Sequence, residues 1–194
     1  MRGSQSNERW KVETAKLSEN FYDKIKPQLH ERIGRELHGA KRVLDLGCGD
    51  CELVRYLADT YGRQVTGIDI SGESFPDYQE IAKAGKNVRC IRKDAANLEF
   101  LYGTVDAVII MWALHEMKNS QAILQETHRV LRPGGKVLVV EFPRNSLAQK
   151  LWNENYYTSE ELVDSLRKAG FNDIRAKRIE HKQILWVTGF CSKN

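Results

Sequence analysis

Short apolar runs alternate with stretches of helical length through the middle of this chain, and that alternation limits its possible folds more than any other feature. The runs are Val43–Leu46, Val65–Ile70, Val88–Ile91, Val105–Met111 and Val137–Phe142. Several carry neighbouring apolar residues instead of strict alternation, as parallel strands covered on both faces require. Between them lie Glu52–Tyr61, Phe75–Ala84 and Gln121–Leu131, each long enough for a helix. Gly62, Gly85 and Gly170 follow helical segments at the place where a left-handed C-cap ends a helix. The pattern predicts a doubly wound α/β sheet.

The flanks extend the reading. Glu8–Leu37 reads as two helices broken near Lys26-Pro27, so residues 1–39 form an N-terminal helical cap segment on a domain of residues 40–194. After the fifth run, Pro143–Tyr157 is irregular. Thr158-Ser159-Glu160-Glu161 is a capping box, and the helix it opens places Leu162, Val163, Leu166 and Ala169 on one face. Asp173–Ile179 and Ile184–Cys191 follow without an intervening helix, which predicts an antiparallel hairpin. The 194 residues suit one compact domain with a full core.

Composition excludes several classes. The net charge is +4, but Lys and Arg are interleaved with Asp and Glu, which disfavours a nucleic-acid partner. No apolar run approaches the roughly 20 residues of a membrane helix, so no membrane insertion is expected. Met1-Arg2-Gly3-Ser4 opens no signal peptide, and a cytoplasmic location with reduced thiols at Cys48, Cys51, Cys90 and Cys191 is the expectation. Cys48 and Cys51 have the spacing of half a zinc site with no second pair, and the five histidines are scattered, so no metal is expected. The sequence leaves the oligomeric state open.

The first apolar run leads into Gly47-Cys48-Gly49-Asp50-Cys51 and then a helix. Ligands of open α/β sheets bind beyond the carboxyl ends of the strands, and glycines there let the backbone approach them. Asp69 lies near the end of the second run, about twenty residues after Gly49, where an acidic side chain can accept ribose hydroxyls. A dinucleotide fingerprint would need glycine at position 52, which holds Glu52. A carboxylate there competes with a pyrophosphate for the positive end of the helix. The sulfonium of S-adenosylmethionine (SAM) meets no such conflict, and SAM is the expected cofactor.

Four ordered blocks carry a family resemblance. Val43–Gly49, Gly67–Ser71, Asp106–Met117 and Leu131–Phe142 resemble the successive motifs of class I SAM-dependent methyltransferases, in particular the small-molecule, ubiquinone/menaquinone C-methyltransferase-like subgroup. The resemblance implies a Rossmann-like, seven-stranded, mostly parallel sheet with an antiparallel C-terminal strand, and methyl transfer to a small-molecule acceptor. It also implies roles. Gly47 and Gly49, with Cys48 beside them, would lie against the methionine part of SAM, Asp45 would fix the loop, and Asp69 would hold the ribose. Ile70 would pack on the adenine, and Asp94, followed by Ala95, would accept from its amino group. Met111 and Trp112 would line the cofactor near the methyl, and Tyr22 belongs to a covering segment. Cys51 replaces the family's third glycine, and its thiol is expected at the cofactor. Pro143–Tyr157 is short beside the covering insertion of the quinone enzymes, which favours a compact acceptor or an open site.

On the acceptor side, His115 and Glu116 are the candidate catalytic residues, as base or substrate contact, each with a packing role as the alternative. Glu141 would face the same rim as a further substrate contact. Trp112 beside a sulfonium would add cation–π attraction of about 0.5–2 kcal/mol, or it belongs to the core. Tyr156 and Tyr157 either gate the opening or cover apolar surface. Two other functions stay open: a redox site at Cys48-Gly49-Asp50-Cys51, and a non-catalytic SAM-binding regulatory or partner subunit, motivated by Cys51.

Overall fold

The computed structural model describes residues 17–83 and 85–192. Its elements run α1 (Phe21–Glu36), β1 (Arg42–Leu46), α2 (Glu52–Tyr61), β2 (Gln64–Asp69), α3 (Tyr78–Lys83), β3 (Val88–Arg92), β4 (Val105–Met111), α4 (Ser120–Val130), β5 (Leu131–Glu141), α5 (Leu147–Trp152), α6 (Ser159–Lys168), β6 (Asn172–Ile179) and β7 (Ile184–Phe190). The strands form one seven-stranded sheet in the order β3-β2-β1-β4-β5-β7-β6. β1 to β5 pair in parallel, and β7 runs antiparallel to both β5 and β6. This is the expected doubly wound sheet with its reversed C-terminal strand.

The strand period of two divides the core into two layers. Val43, Ile109, Leu138, Val140 and Trp186 face α1 and α2. Leu44, Val108, Ile110, Val139 and Val187 face the side covered by α4 and α6. Continuous apolar runs are needed because both faces are buried, which is why β4 and β5 read as they do. The capping box is present: Glu161 N–H donates to Thr158 Oγ1 at 3.2 Å, and Thr158 N–H donates to Glu161 Oε2 at 2.9 Å.

Several boundaries differ from the sequence reading, each for a physical reason. α1 continues through Pro27 instead of breaking there. Pro27 and Asp23 both sit on the exposed face, so the Asp23 carbonyl that loses its helical donor is open to water. The helix expected to begin at Glu8 lies in its first part outside the described residues. α3 starts at Tyr78, not Phe75, because Pro76 holds Phe75 out of helical conformation and Phe75 closes a turn on the Gly72 carbonyl. β5 begins at Leu131, which pairs with Val105 before the register shifts and resumes at Lys136. The stretch expected to be irregular contains α5. The expectation of four reduced thiols fails at one pair, for Cys51 and Cys90 are joined as a disulfide, while Cys48 and Cys191 are free and buried. Cys90 pairs with Gly67 in β2, which has no side chain to separate the Cys48–Cys51 loop from β3. Among the described residues no helix is long and apolar enough to cross a membrane.

Candidate functional site

The loop after β1 is held by the strand ends around it. Gly47 N–H and Cys48 N–H both donate to the Ile68 carbonyl, at 2.7 and 3.2 Å. Gly49 N–H donates to Asp69 Oδ2 at 3.1 Å, and Ser71 N–H donates to Asp69 Oδ1 at 3.0 Å. One carboxylate therefore couples the glycine loop to the turn after β2. Gly47 and Gly49 have φ of 74° and 51°, the left-handed region. A Cβ on Gly47 would stand 2.4 Å from Ala113 Cβ, whereas one on Gly49 would meet nothing within 4 Å.

Gly49 opens onto a cavity of about 570 Å³ at the carboxyl ends of β1, β2 and β4, within the roughly 300–1,000 Å³ usual for ligand clefts. Of the expected cofactor residues, Gly47, Gly49, Asp69, Ile70, Asp94, Ala95 and Trp112 line it. Ile70 is 71% exposed, an apolar side chain left uncovered between the carboxylates of Asp69 and Asp94. Glu116, a catalytic candidate, also lines the cavity. Lys93, Lys118, Asn119 and Ile123 line it too and were not anticipated. Asn119 accepts from Ala122 N–H as the N-cap of α4, and that cap was the one local signal that could have pointed there.

Five expected cofactor residues do not line the cavity. Asp45 is buried in β1 directly before the loop, and burial first, then the Asp69 and Asp50 charges, push its carboxyl up to about 7. Cys48 packs over Gly67 with its Sγ 3.5 Å from Cys51 Sγ. Cys51 corrects the expectation of a thiol at the cofactor. Its backbone is left-handed, with φ of 56° as a glycine there would allow, but its side chain is fully buried and bonded to Cys90. Met111 packs with the α1–α2 side of the core. Tyr22 is likewise buried. Its hydroxyl accepts from Ala148 N–H at 2.9 Å and contacts Gln183 Oε1 at 3.4 Å, and burial raises its pKa to about 12.

On the acceptor side the structure assembles a histidine–carboxylate pair. His115 Nδ1 lies 3.1 and 3.0 Å from the two oxygens of Glu141, which also accept from His115 N–H and Phe142 N–H. Glu141 is fully buried, which corrects its placement on the rim as a substrate contact. Burial alone would lower the His115 pKa, but the hydrogen bond and charge of Glu141, then Glu116 and Glu154, raise it overall. Glu154 carried no recognisable sequence signal. His115 and both tyrosines, Tyr156 and Tyr157, line a second depression of about 530 Å³. Trp112 has φ of 56° and stacks on Phe142 with ring centroids 5.0 Å apart, and its indole Nε1 is buried without a hydrogen-bond partner among the described residues.

Two alternatives lose ground on this geometry. Cys48 is buried and its thiol pKa is raised, foremost by burial, the opposite of a redox nucleophile. At the N-terminus of α2, Glu52 N–H already donates to Asp50 Oδ1 at 3.0 Å, so a pyrophosphate would meet the carboxylates of Asp50 and Glu52 there. The donor set that remains fits SAM: carboxylates for hydroxyls and an amine, an apolar cover, and an open glycine face.

Comparison with known proteins points the same way. A methyltransferase domain family matches residues 43–135. The demethylmenaquinone methyltransferase of Thermus thermophilus is 36% identical over 105 residues, 53% of this chain and 48% of that protein. The chain thus spans about half the length of the curated relatives it matches. Among solved structures, the SAM-dependent methyltransferase SibL superposes with a TM-score of 0.71 at 23% identity, over 89% of this chain and 56% of SibL. The [4+2]-cyclase SpnF gives 0.69 at 20% identity, over 86% and 82%. Such likenesses establish the fold, and the second shows one fold serving another reaction. With its ordered motifs, its sheet and the methyltransferase domain matched over residues 43–135, the chain is similar to class I SAM-dependent methyltransferases.

Proposed function

We propose that the chain binds SAM in the cavity above β1, β2 and β4 and transfers its methyl group to a small-molecule acceptor. The observation that carries this is the exposed Ile70 flanked by Asp69 and Asp94 on one wall, with the bare face of Gly49 opening on the same cavity. Asp69 holds the ribose hydroxyls with the lone pairs not used by Gly49 and Ser71. Ile70 packs on the adenine, and Asp94, beside Ala95, accepts from its amino group. Gly47 and Gly49 lie along the methionine part, and Asp45, Cys48 and Cys51 support that loop from behind. Trp112 and the underlying Met111 shape the methyl end, and Tyr22, within the cap segment of residues 1–39, fixes the cover.

SAM supplies an electrophilic methyl on a cationic sulfur, so positioning of the acceptor contributes much of the rate. The acceptor enters by the depression at Tyr156 and Tyr157. His115, oriented by Glu141, and the adjacent Glu116 meet it there and take a proton where the acceptor carries one. The Cys51 departure from the glycine pattern removes nothing from the cavity, because its side chain points away. The motive for a purely regulatory reading goes with it.

The test is binding followed by turnover. SAM and S-adenosylhomocysteine raise the melting temperature of the purified chain, and Asp69→Ala weakens SAM binding by about 1.5–3 kcal/mol, the scale for hydrogen bonds to a charged group. A screen of small phenols, amines and thiols then yields a methylated product. Undiminished SAM affinity in Asp69→Ala would refute the ribose contact, and preferential NAD binding would overturn the whole reading.

A further inference from the structure

We propose that His115, Glu116 and Glu154 form a binding site for a zinc-like divalent cation at the mouth of the cofactor cavity. The three residues come from the turn after β4 and from the loop after α5, and only the fold brings them together. His115 Nε2 lies 3.7 Å from Glu116 Oε1 and 3.6 Å from Glu154 Oε2, and the three potential ligand atoms all fall within 4.8 Å of one another.

These spacings identify the arrangement. A hydrogen-bonded imidazole–carboxylate pair closes to about 2.7–3.2 Å, and neither contact does. Ligands bonded tetrahedrally at about 2.0–2.2 Å stand roughly 3.3–3.6 Å apart. The Nε2–oxygen separations therefore match two edges of a coordination polyhedron and need adjustments of only a few tenths of an ångström. The histidine side chain is 3% exposed, yet its Nε2 is aimed between the two carboxylates and beyond hydrogen-bond reach of both.

The ring is also prepared as a ligand. Glu141 receives Nδ1–H while itself fixed by two backbone N–H groups, so in the neutral ring Nε2 carries the free lone pair. A carboxylate behind a histidine is the usual support of a metal-bound imidazole. Tyr156, with its ring 4.7 Å away, and Phe142 wall the imidazole in place. One nitrogen and two carboxylates suit a borderline cation better than calcium or magnesium, which favour all-oxygen sets. Three protein ligands leave a position open, the form of a catalytic rather than a structural site. Glu116 lines the cofactor cavity and His115 the neighbouring depression, so the cation would stand between them.

On the methyl-transfer reading, on which this step rests, the open position takes an acceptor hydroxyl. Coordination releases its proton to solvent. The oxygen lone pair then forms a bond to the methyl carbon while the carbon–sulfur bond breaks, and that bond's electron pair stays on the sulfur of S-adenosylhomocysteine. With the cation bound, His115 serves as its ligand, and the proton that His115 or Glu116 would otherwise take passes to solvent.

The metal site is tested without turnover. Co²⁺ is titrated into the chelator-treated full chain, with visible absorption and melting temperature as readouts. Stoichiometric uptake with a ligand-field spectrum is expected for wild type, and its loss in His115→Ala and in the half-exposed Glu154→Gln. Glu141→Gln weakens uptake about 10–100-fold, the usual effect of removing a supporting carboxylate. Absence of uptake by wild type, or full uptake by Glu154→Gln, overturns the proposal. S-adenosylhomocysteine binding is measured on the same samples. Its failure alone defeats the methyl-transfer reading and leaves the cation site standing.

Discussion

Gly47 and Gly49 share a loop and a left-handed backbone, yet a methyl group added to each meets opposite surroundings. On Gly47 it would stand 2.4 Å from Ala113 Cβ, inside the packing between the loop and the end of β4. On Gly49 it would project into the space assigned to the cofactor. Both alanine variants carry a backbone penalty of about 1–2 kcal/mol, and Gly47→Ala adds an overpacking cost of about 1–3 kcal/mol. Denaturant unfolding should therefore show Gly47→Ala losing clearly more stability. Gly49→Ala should stay folded but lose tenfold or more in SAM affinity by calorimetry, about 1.4 kcal/mol. A well-folded Gly49→Ala with wild-type affinity would mean that the cofactor does not sit in this cavity. The same loop shows where reading single residues from sequence stops. The glycines and Asp69 are legible because their residue types answer to backbone geometry and hydrogen bonding. The direction of the Cys51 side chain is not, because it depends on β3 lying behind the loop, a contact 39 residues away in the chain.

That contact belongs to the scale of elements, since it fastens the start of α2 to the middle of β3. Closing a loop of 39 residues restricts the unfolded chain by about 4 kcal/mol in the loop-entropy account. Reduction, or Cys90→Ser, should lower the melting temperature by roughly 8–16 °C for a domain of this size. Melts with and without reductant check this, and coincident curves for wild type and Cys90→Ser under both conditions would rule out a stabilising link. Elements whose stop and start signals are local are legible in the sequence. The capping box of α6 is one, and the glycine C-cap of α2 another. α5 is not legible there, because its start is capped from elsewhere. Leu147 N–H donates to Gln183 Oε1 at 2.6 Å and Ala148 N–H to the Tyr22 hydroxyl, while its own N-cap Ser146 makes no side-chain cap bond. Pro27 misleads in the other direction, because its cost depends on whether the freed carbonyl reaches water, which requires knowing the buried face of α1.

At the scale of the whole molecule, the parallel sheet gathers the strand ends that carry function, and it also concentrates carboxylates around one loop. Asp45 is the carboxylate that burial raises there, with Asp69 and Asp50 nearby. Its carboxyl titrates at about 7 in the folded chain and at an ordinary 3.8 when exposed. Between these values the native state holds a proton that the unfolded chain has released, so stability falls as pH rises through that window. The contribution is complete below the unfolded value and gone above the folded one. His30, lowered foremost by burial, acts inside this window with the opposite sign, but equally in both proteins compared below. Asp106, Glu126 and Glu161 have lowered values, so their stabilisation disappears only as pH falls toward and below the ordinary carboxylate range. His115, raised overall, loses its contribution as pH climbs above the ordinary histidine value. Asp45→Asn removes the first effect and leaves the others. At about 1.4 kcal/mol for each unit of separation, wild type should lose roughly 2–4 kcal/mol relative to Asp45→Asn between about pH 4 and pH 8. Urea unfolding of both proteins across that range gives the difference curve directly. A difference that declines with the predicted sign and levels off above about 7 locates the buried proton at Asp45, whereas two parallel curves would show that the carboxyl ionises in the fold as freely as in water.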